Sequence, residues 1–408
     1  MSRTLLVSLI ALAALLLAAC VRVHTHGDVP GATSASDAPA ALRIATYNTS
    51  LYSDEAGGLL ERLQGEDDDV RKIAAVLQQV RPDIVLINEF DYVADGSAAD
   101  VFQQRWLERA QPGGGAPLRY PYRYIAPVNT GVQSGLDLDG NGTIGGEGRE
   151  RGNDAWGYGL HPGQYGMLLL SRYPIDADIA RTFQLLRWSA MPEARRPHHP
   201  DGRPFHPDAV WSQLRLSSKS HWDVQVRAPG GVIHVLASHP TPPAFDGPEQ
   251  RNVARNHDEI RLWTEYLSPG THDWLCDDEG RCGGLDADAR FVILGDLNND
   301  PVDGSGDHAA IVGLIEHPRV MRMATPRSEG AIEAAEADGG ANLQQRGAHA
   351  HDTGSFGPRV GNLRLDYVLP SVGLTHVDAG VFWPRSDAPH ADIVDGTDHR
   401  LVWVDVTQ

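Results

Sequence analysis

Asn48, Glu89, His239, Asp296, Asn298, Asp366, Asp398 and His399 are the residues of this sequence whose types and placement could do chemistry. Each sits at or beside the end of a short apolar run. Asn48 closes LRIATYN, Glu89 follows DIVLIN, His239 follows GVIHVLAS, and Asp296 closes FVILGD with Asn298 two residues on. Asp366 lies early in LRLDYVL, and the pair Asp398-His399 stands directly before RLVWVDV. A single carboxylate at a strand end is ordinarily a cap or a turn residue, but the same placement repeated along a chain asks for a shared purpose. Hard oxygen donors without thiolates suit Mg²⁺ (or Mn²⁺), which takes one or two carboxylates and leaves room for water and substrate phosphate. Two histidines with carboxylate neighbours suit acid–base work and stabilisation of charge on a phosphoryl oxygen. The combination fits metal-assisted attack of water on a phosphate ester.

The elements that must position these residues are legible from periodicity. In the last segment Val402, Val404 and Val406 fall on one face and Leu401 and Trp403 on the other, the period-2 signature of a strand. LRIATYN alternates in the same way, and DIVLIN, GMLLLS (166–171), GVIHVLAS (231–238), FVILG (291–295) and LRLDYVL (363–369) read as further strands. Val70, Ile73, Leu77 and Val80 recur at helical spacing before Pro82, and Val253, Ile260, Trp263 and Leu267 line one face of a second helix. Strands interleaved with helices imply an α/β architecture interrupted by two Gly/Pro-rich insertions, at about 126–163 and 188–212.

The segments LRIATYNTSLY, DIVLINEFD, YGMLLLSRYPI, VLASHPTPP, VILGDLNNDP, LRLDYVLPS and GTDHRLVWVDV resemble, in order, the motifs of the endonuclease/exonuclease/phosphatase superfamily. The resemblance runs from residue 42 to 406 and implies a DNase I-like, four-layered α/β sandwich: two central, mostly antiparallel sheets flanked by helices. It also implies roles. Glu89 is similar to the principal metal ligand, with Asn48 and Asp398 supporting the metal and its waters. Asp296 and Asn298 fill the D-x-N positions that orient the attacking water and the scissile phosphate. His399 matches the terminal histidine that contacts phosphate or accepts the water's proton, and Asp366 its carboxylate orienter. His239 stands where relatives place a histidine or tyrosine aimed at the phosphate or leaving group. Asp296 and His399 both remain open as the general base, and nuclease and phosphatase activities remain open as the reaction.

Several motifs lie outside that set. Asp137, Asp139 and Asn141 begin a D-x-D-x-N-G calcium loop, but its twelfth position is Gly148, so the loop reads equally as a structural Ca²⁺ site or as an ion-free Asx turn. Lys219, His221, Arg251, Asn252, Arg255 and Asn256 could touch substrate phosphate, yet as isolated polar groups they are expected on the solvated surface. His198, His199, His349 and His351 lie in Pro/Gly/Ala-rich loops and are expected there too.

At the N-terminus Arg3 precedes LLVSLIALAALLLAAC, the pattern of an export signal, and the ending Leu17-Ala18-Ala19-Cys20 resembles a bacterial lipobox. The expected organisation is a signal peptide over 1–20 with Cys20 lipidated, a small and polar tether over 21–41, and a catalytic domain over 42–408. Val21, rather than Asp, favours the outer membrane among such signals. In an oxidising compartment Cys276 and Cys282 are expected to close a small disulfide loop. The formal net charge of −19 argues against broad affinity for polyanions. The partners implied are a phosphate-ester substrate, small, lipid-borne or nucleic acid, and a membrane held through the lipid. A noncatalytic surface-binding module with a decayed site is the alternative; it is disfavoured because all eight site positions keep chemically competent residues.

Overall fold

The computed structural model describes residues 41–408. Cys20, the signal segment 1–20 and the tether up to residue 40 lie outside the described residues, so the expectations for lipidation and anchoring are not addressed by the fold. In chain order the first strands are β1 (Leu42–Leu51), β2 (Ile84–Phe90), β3 (Tyr122–Tyr124), β4 (Met167–Ser171), β5 (Arg181–Thr182), β6 (His221–Ala228) and β7 (Gly231–Ser238). They are followed by β8 (Phe291–Asp296), β9 (Gly354–Ser355), β10 (Asn362–Leu363), β11 (Asp366–Pro370), β12 (Thr375–Val381) and β13 (Val402–Thr407).

Two main sheets result, ordered β12-β13-β1-β2-β4-β3 and β11-β8-β7-β6-β5, with β9 and β10 forming a separate pair. Within the main sheets only β1–β2 and β7–β8 pair in parallel; the rest are antiparallel, as the family resemblance implied. Alternation decides which side chains meet between the sheets. Ile44, Ile84, Leu86, Val402, Val404 and Val406 of the first sheet pack against Trp222, Val224, Val235, Val292 and Leu294 of the second. Residues of opposite parity face outward: Ala45, Tyr47, Val85 and Ile87 meet the helix Asp68–Val80, while Leu236, Phe291 and Ile293 meet the helix Arg251–Leu267. The outcome is helix, sheet, sheet, helix, with three apolar interfaces. Each fully buried large aliphatic side chain in them contributes roughly 1.5–3 kcal/mol.

Helix ends follow local chemistry. The Asp67 side chain accepts from the Val70 amide at the start of Asp68–Val80, and Arg81 ends it in the left-handed region ahead of Pro82. LRLDYVL is not one strand: Arg364 and Leu365 separate β10 from β11, because the Arg364 amide donates to Asp300 and the Leu365 amide to Thr353 instead of to a strand neighbour. Cys276 and Cys282 are joined as a disulfide. Among the described residues no helix is long and apolar enough to cross a membrane.

Candidate active site

Strand register gathers the polar strand ends at one rim of the sandwich. Asn48, just before the register shift near the end of β1, is level with Asn88 of the parallel β2, which puts Glu89 beside it. β13 runs antiparallel to β1, so the Asp398-His399 pair that precedes it returns to the same rim. In the second sheet Asp296, the last residue of β8, is directly opposite Asp366, the first of β11, and His239 follows the parallel β7. Gly295 permits this crowding: its φ is +156°, and a Cβ there would sit 2.0 Å from the Ser238 carbonyl oxygen of β7. Ser50, Glu89 and Asn298 adopt positive φ of 48°, 57° and 53°, a backbone choice that costs non-glycine residues of order 1–3 kcal/mol and concentrates at functional sites.

The two sheets are tied at this rim by asparagines. The Asn48 amide nitrogen donates to Glu89 Oε1 at 3.1 Å and to Asp296 Oδ2 at 3.0 Å, and Asn88 Oδ1 accepts from the Asp296 amide at 3.3 Å. The Asn298 amide donates to Asp296 Oδ1 at 2.9 Å. Asp366 Oδ2 accepts from Thr353 Oγ1 at 2.7 Å and from His399 Nδ1 at 2.8 Å. That contact leaves His399 Nε2 facing Asp296 Oδ2 at 3.7 Å. His239 Nε2 approaches the same oxygen at 3.4 Å, and its Nδ1 is buried without a hydrogen-bond partner. All eight residues singled out in the sequence therefore converge.

Electrostatics separates the two histidines. Burial alone would lower the His399 pKa, but Asp366, Asp296 and Asp398 outweigh it and raise the value to about 10. For His239 burial acts in the same direction as the nearby Lys219 and His399 cations, and the ring is held well below its usual pKa, hence neutral. Burial raises Asp296, with Asp366 and Glu89 adding to it against His399 and Asn48. Glu89 is also raised by burial, opposed by Asn48, His399 and Lys219. One imidazolium donor, one neutral imidazole and two carboxylates with raised proton affinity thus share one rim.

The donor set fits a hard divalent cation. It offers carboxylates without sulfur, and Glu89 receives a single protein hydrogen bond, leaving Oε2 available toward the cleft. The exposed Asp398 lines the same cleft. Asp296, Asp366 and His399 also lie close enough to share an ion, but there the Nδ1–Oδ2 hydrogen bond already occupies both partners, so Glu89 is the better seat.

The site opens into a cleft of about 700 Å³ walled by both insertions. Thr130, Arg149 and Tyr158 come from the first, and Trp188 and His206 from the second. Chain 41–408 also corrects several expectations. Lys219, His221 and Asn256 are buried rather than solvated. His221 is held by Ser217 and the Glu259 carbonyl, and Asn256 by the Thr241 and Leu297 carbonyls. Arg255 is half-buried and ties the carbonyls of Trp156, Arg215, Leu216 and Ser217. Arg251 and Asn252 are half-buried at the cleft. Of the loop histidines only His198 is exposed; His199, His349 and His351 are half-buried, and His349 pairs with Asp352 at 2.9 Å. In the cleft wall, where Leu138 and Asn153 line the space, the Asp137–Asp139 loop gains Asp154 as a third carboxylate. That residue is seventeen positions from Asp137, beyond any loop motif, and its oxygens accept the Leu138 and Gly145 amides. Asp137 and Asn141 likewise accept loop amides in Asx turns.

The family model described as Endonuclease/Exonuclease/phosphatase matches residues 45–399. The chain belongs to this family. Its members are in general phosphoester hydrolases that use divalent metals. Among solved structures, the chain is similar to an endonuclease/exonuclease/phosphatase from Beutenbergia cavernae, at 19% identity and TM-score 0.46 over 90% of this chain and 71% of that one. It is also similar to sphingomyelinase C from Streptomyces griseocarneus (17%, TM-score 0.43, covering 90% and 100%). A third is beta toxin from Staphylococcus aureus with bound magnesium ions (11%, TM-score 0.42, 90% and 100%). No curated protein matches.

Proposed function

We propose that this protein is an exported, lipid-anchored, Mg²⁺-dependent hydrolase of small phosphate esters. The observation that carries the reading is His399: fixed by Asp366 at 2.8 Å, it presents Nε2 toward Asp296 at 3.7 Å beside Glu89. Asp366 holds the tautomer and orientation, so only Nε2 is available to the reacting groups. With its raised pKa, His399 donates a proton or hydrogen bond to a phosphoryl oxygen, and Asp296 is the group better placed to accept the proton of an attacking water. Neutral His239 offers a hydrogen bond to the phosphate or leaving oxygen. Mg²⁺ at Glu89, supported by Asn48 and Asp398, would neutralise charge on the phosphate.

Two features favour a small ester over duplex nucleic acid. The insertions wall the cleft, and a net charge of −19 opposes extended binding of a polyanion. The export signal and lipobox support an extracytoplasmic, membrane-held enzyme. The test is an assay of the full-length chain with Mg²⁺ or Mn²⁺ against a chromogenic phosphodiester, a chromogenic phosphomonoester and plasmid DNA. Hydrolysis of a chromogenic ester, lost in Glu89→Ala and in His399→Ala with plasmid left intact, is the expected result. A folded wild type that turns over none of the three, or only plasmid, sinks the proposal. Release of the Cys20→Ala chain from the membrane fraction tests the anchor.

A further inference from the structure

Lys219 is a buried cation of the cleft wall that the preceding mechanism does not use. It is only 6% exposed and lines the cleft. Among the described residues no carboxylate oxygen lies within 4.0 Å of its ammonium, and the side chain makes no hydrogen bond. The stem is enclosed while the ammonium, which is not among the sealed-off polar atoms, meets the cleft, so an anion entering the cleft can pair with it.

The position is built, not incidental. Ser218, the preceding residue, donates through its amide and its hydroxyl to Glu259 Oε1, at 2.5 and 2.9 Å. The Asn129 side chain donates to the Ser217 carbonyl at 2.8 Å, and the Asn129 amide donates to the Lys219 carbonyl at 2.9 Å. Glu259 is not the missing partner. Its first oxygen is taken by Ser218, and its second accepts the Thr241 amide at 2.6 Å. The same carboxylate therefore fixes the backbone beside Lys219 and, two residues on from His239, the backbone beside the neutral histidine.

Glu89 and Asp296 lie within Coulombic reach of the ammonium, and so does His239, yet none is close enough to pair with it. The space between the ammonium and those groups is where the substrate phosphate of the proposed reaction would sit. We propose that Lys219 is a phosphoryl-oxygen ligand, binding a nonbridging oxygen of the substrate phosphate next to His239. The inference rests on the phosphoesterase reading of this site and adds to it the residue that offsets the charge of the phosphate.

The experiment compares the full-length wild type with Lys219→Met and Lys219→Arg. Binding of inorganic phosphate in the presence of Mg²⁺ is measured by calorimetry, thermal unfolding is followed without phosphate, and kcat and KM are determined on the chromogenic monoester and diester. Lys219→Met is expected to weaken phosphate binding by about tenfold or more and to raise KM. Its melting temperature should be unchanged or higher, because no ion pair or hydrogen bond of the folded chain is lost, and Lys219→Arg should recover part of the affinity. Unchanged phosphate affinity in Lys219→Met overturns the proposal, and so does a lowered melting temperature with no selective loss of phosphate binding, which marks a structural lysine. Lys219-dependent phosphate binding without hydrolysis of either ester would instead refute the enzymatic reading while leaving the ligand assignment in place. A wild type that binds no phosphate overturns both.

Discussion

Asp296 and Asp366 face each other across the antiparallel β8–β11 pair, and His399 is the cation that joins them, at 2.8 Å from one and 3.7 Å from the other. Like charges directly opposite in a sheet repel. The pair is tolerated because the imidazole holds a proton between them, which is also what gives the ring its acid–base character.

That arrangement predicts a decline in stability toward alkaline pH in protein freed of metal by chelation. His399 has a folded-state pKa of about 10 against an ordinary 6.5, so the folded chain binds this proton more tightly than the unfolded one. Its contribution is fully present below pH 6.5 and is lost as pH rises through 10. Asp296, also raised, acts with the same sign. Denaturant unfolding at stepped pH should show wild type losing stability over that window more steeply than His399→Gln. Parallel curves for the two proteins would show that the histidine is not held protonated by its neighbours.

Asp366→Asn keeps the shape of the side chain and removes its charge, leaving His399 without a fixed tautomer. A fall in kcat of about 10²- to 10⁴-fold is expected, with KM little changed. Because Asp366 acts through His399, adding Asp366→Asn to His399→Ala should cost almost nothing further. Additive losses in that double-mutant cycle would mean that Asp366 has a separate role.

How much of this was legible beforehand depended on whether the information was local. The alternating valines of β13 and the helical spacing of Val70, Ile73 and Leu77 report burial directly, because period and face are sequence properties. The eight rim residues were legible because strand ends in a sandwich share an edge. Lys219 was not. Its burial is decided by Glu259, forty residues later, and by Asn129, ninety residues earlier, and no local pattern separates it from a solvated lysine. Asp154 was missed for a related reason: it joins Asp137 and Asp139 only through the fold of an insertion. The break at Arg364 and Leu365 likewise follows from distant acceptors, Asp300 and Thr353, that replace a strand partner.

Glu89→Gln separates metal binding from folding. Burial raises the Glu89 pKa, so ionising this carboxyl costs the metal-free fold, and the neutral isostere should melt at the same temperature or slightly higher in chelator. Bound Mg²⁺ stabilises the native state by mass action, about 2.7 kcal/mol at a hundredfold excess over Kd. That increment is expected in wild type and absent in Glu89→Gln. An equal Mg²⁺-dependent rise in both proteins would place the cation elsewhere, with the Asp137, Asp139 and Asp154 cluster the first alternative.

Glu259→Gln addresses the scaffold behind the cleft. Glu259 is fully buried in the helix Arg251–Leu267, and its two oxygens accept from Ser218 and Thr241, so one side chain fixes the loops that carry Lys219 and His239. A glutamine fits the space but offers a carbonyl on one side only; its NH₂ must face a backbone N–H on the other, leaving a buried donor unsatisfied. The expected destabilisation is roughly 2–4 kcal/mol, since hydrogen bonds to a charged group contribute more than neutral ones and an orphaned donor adds its desolvation cost. Hydrogen exchange should speed at the Ser218 and Thr241 amides before it does in the strands. KM for the chromogenic ester should rise through the loosened loops, while metal binding at Glu89, held from the other sheet, should persist. A loss of less than about 0.5 kcal/mol with unchanged exchange at those amides would show that the loops are positioned without Glu259.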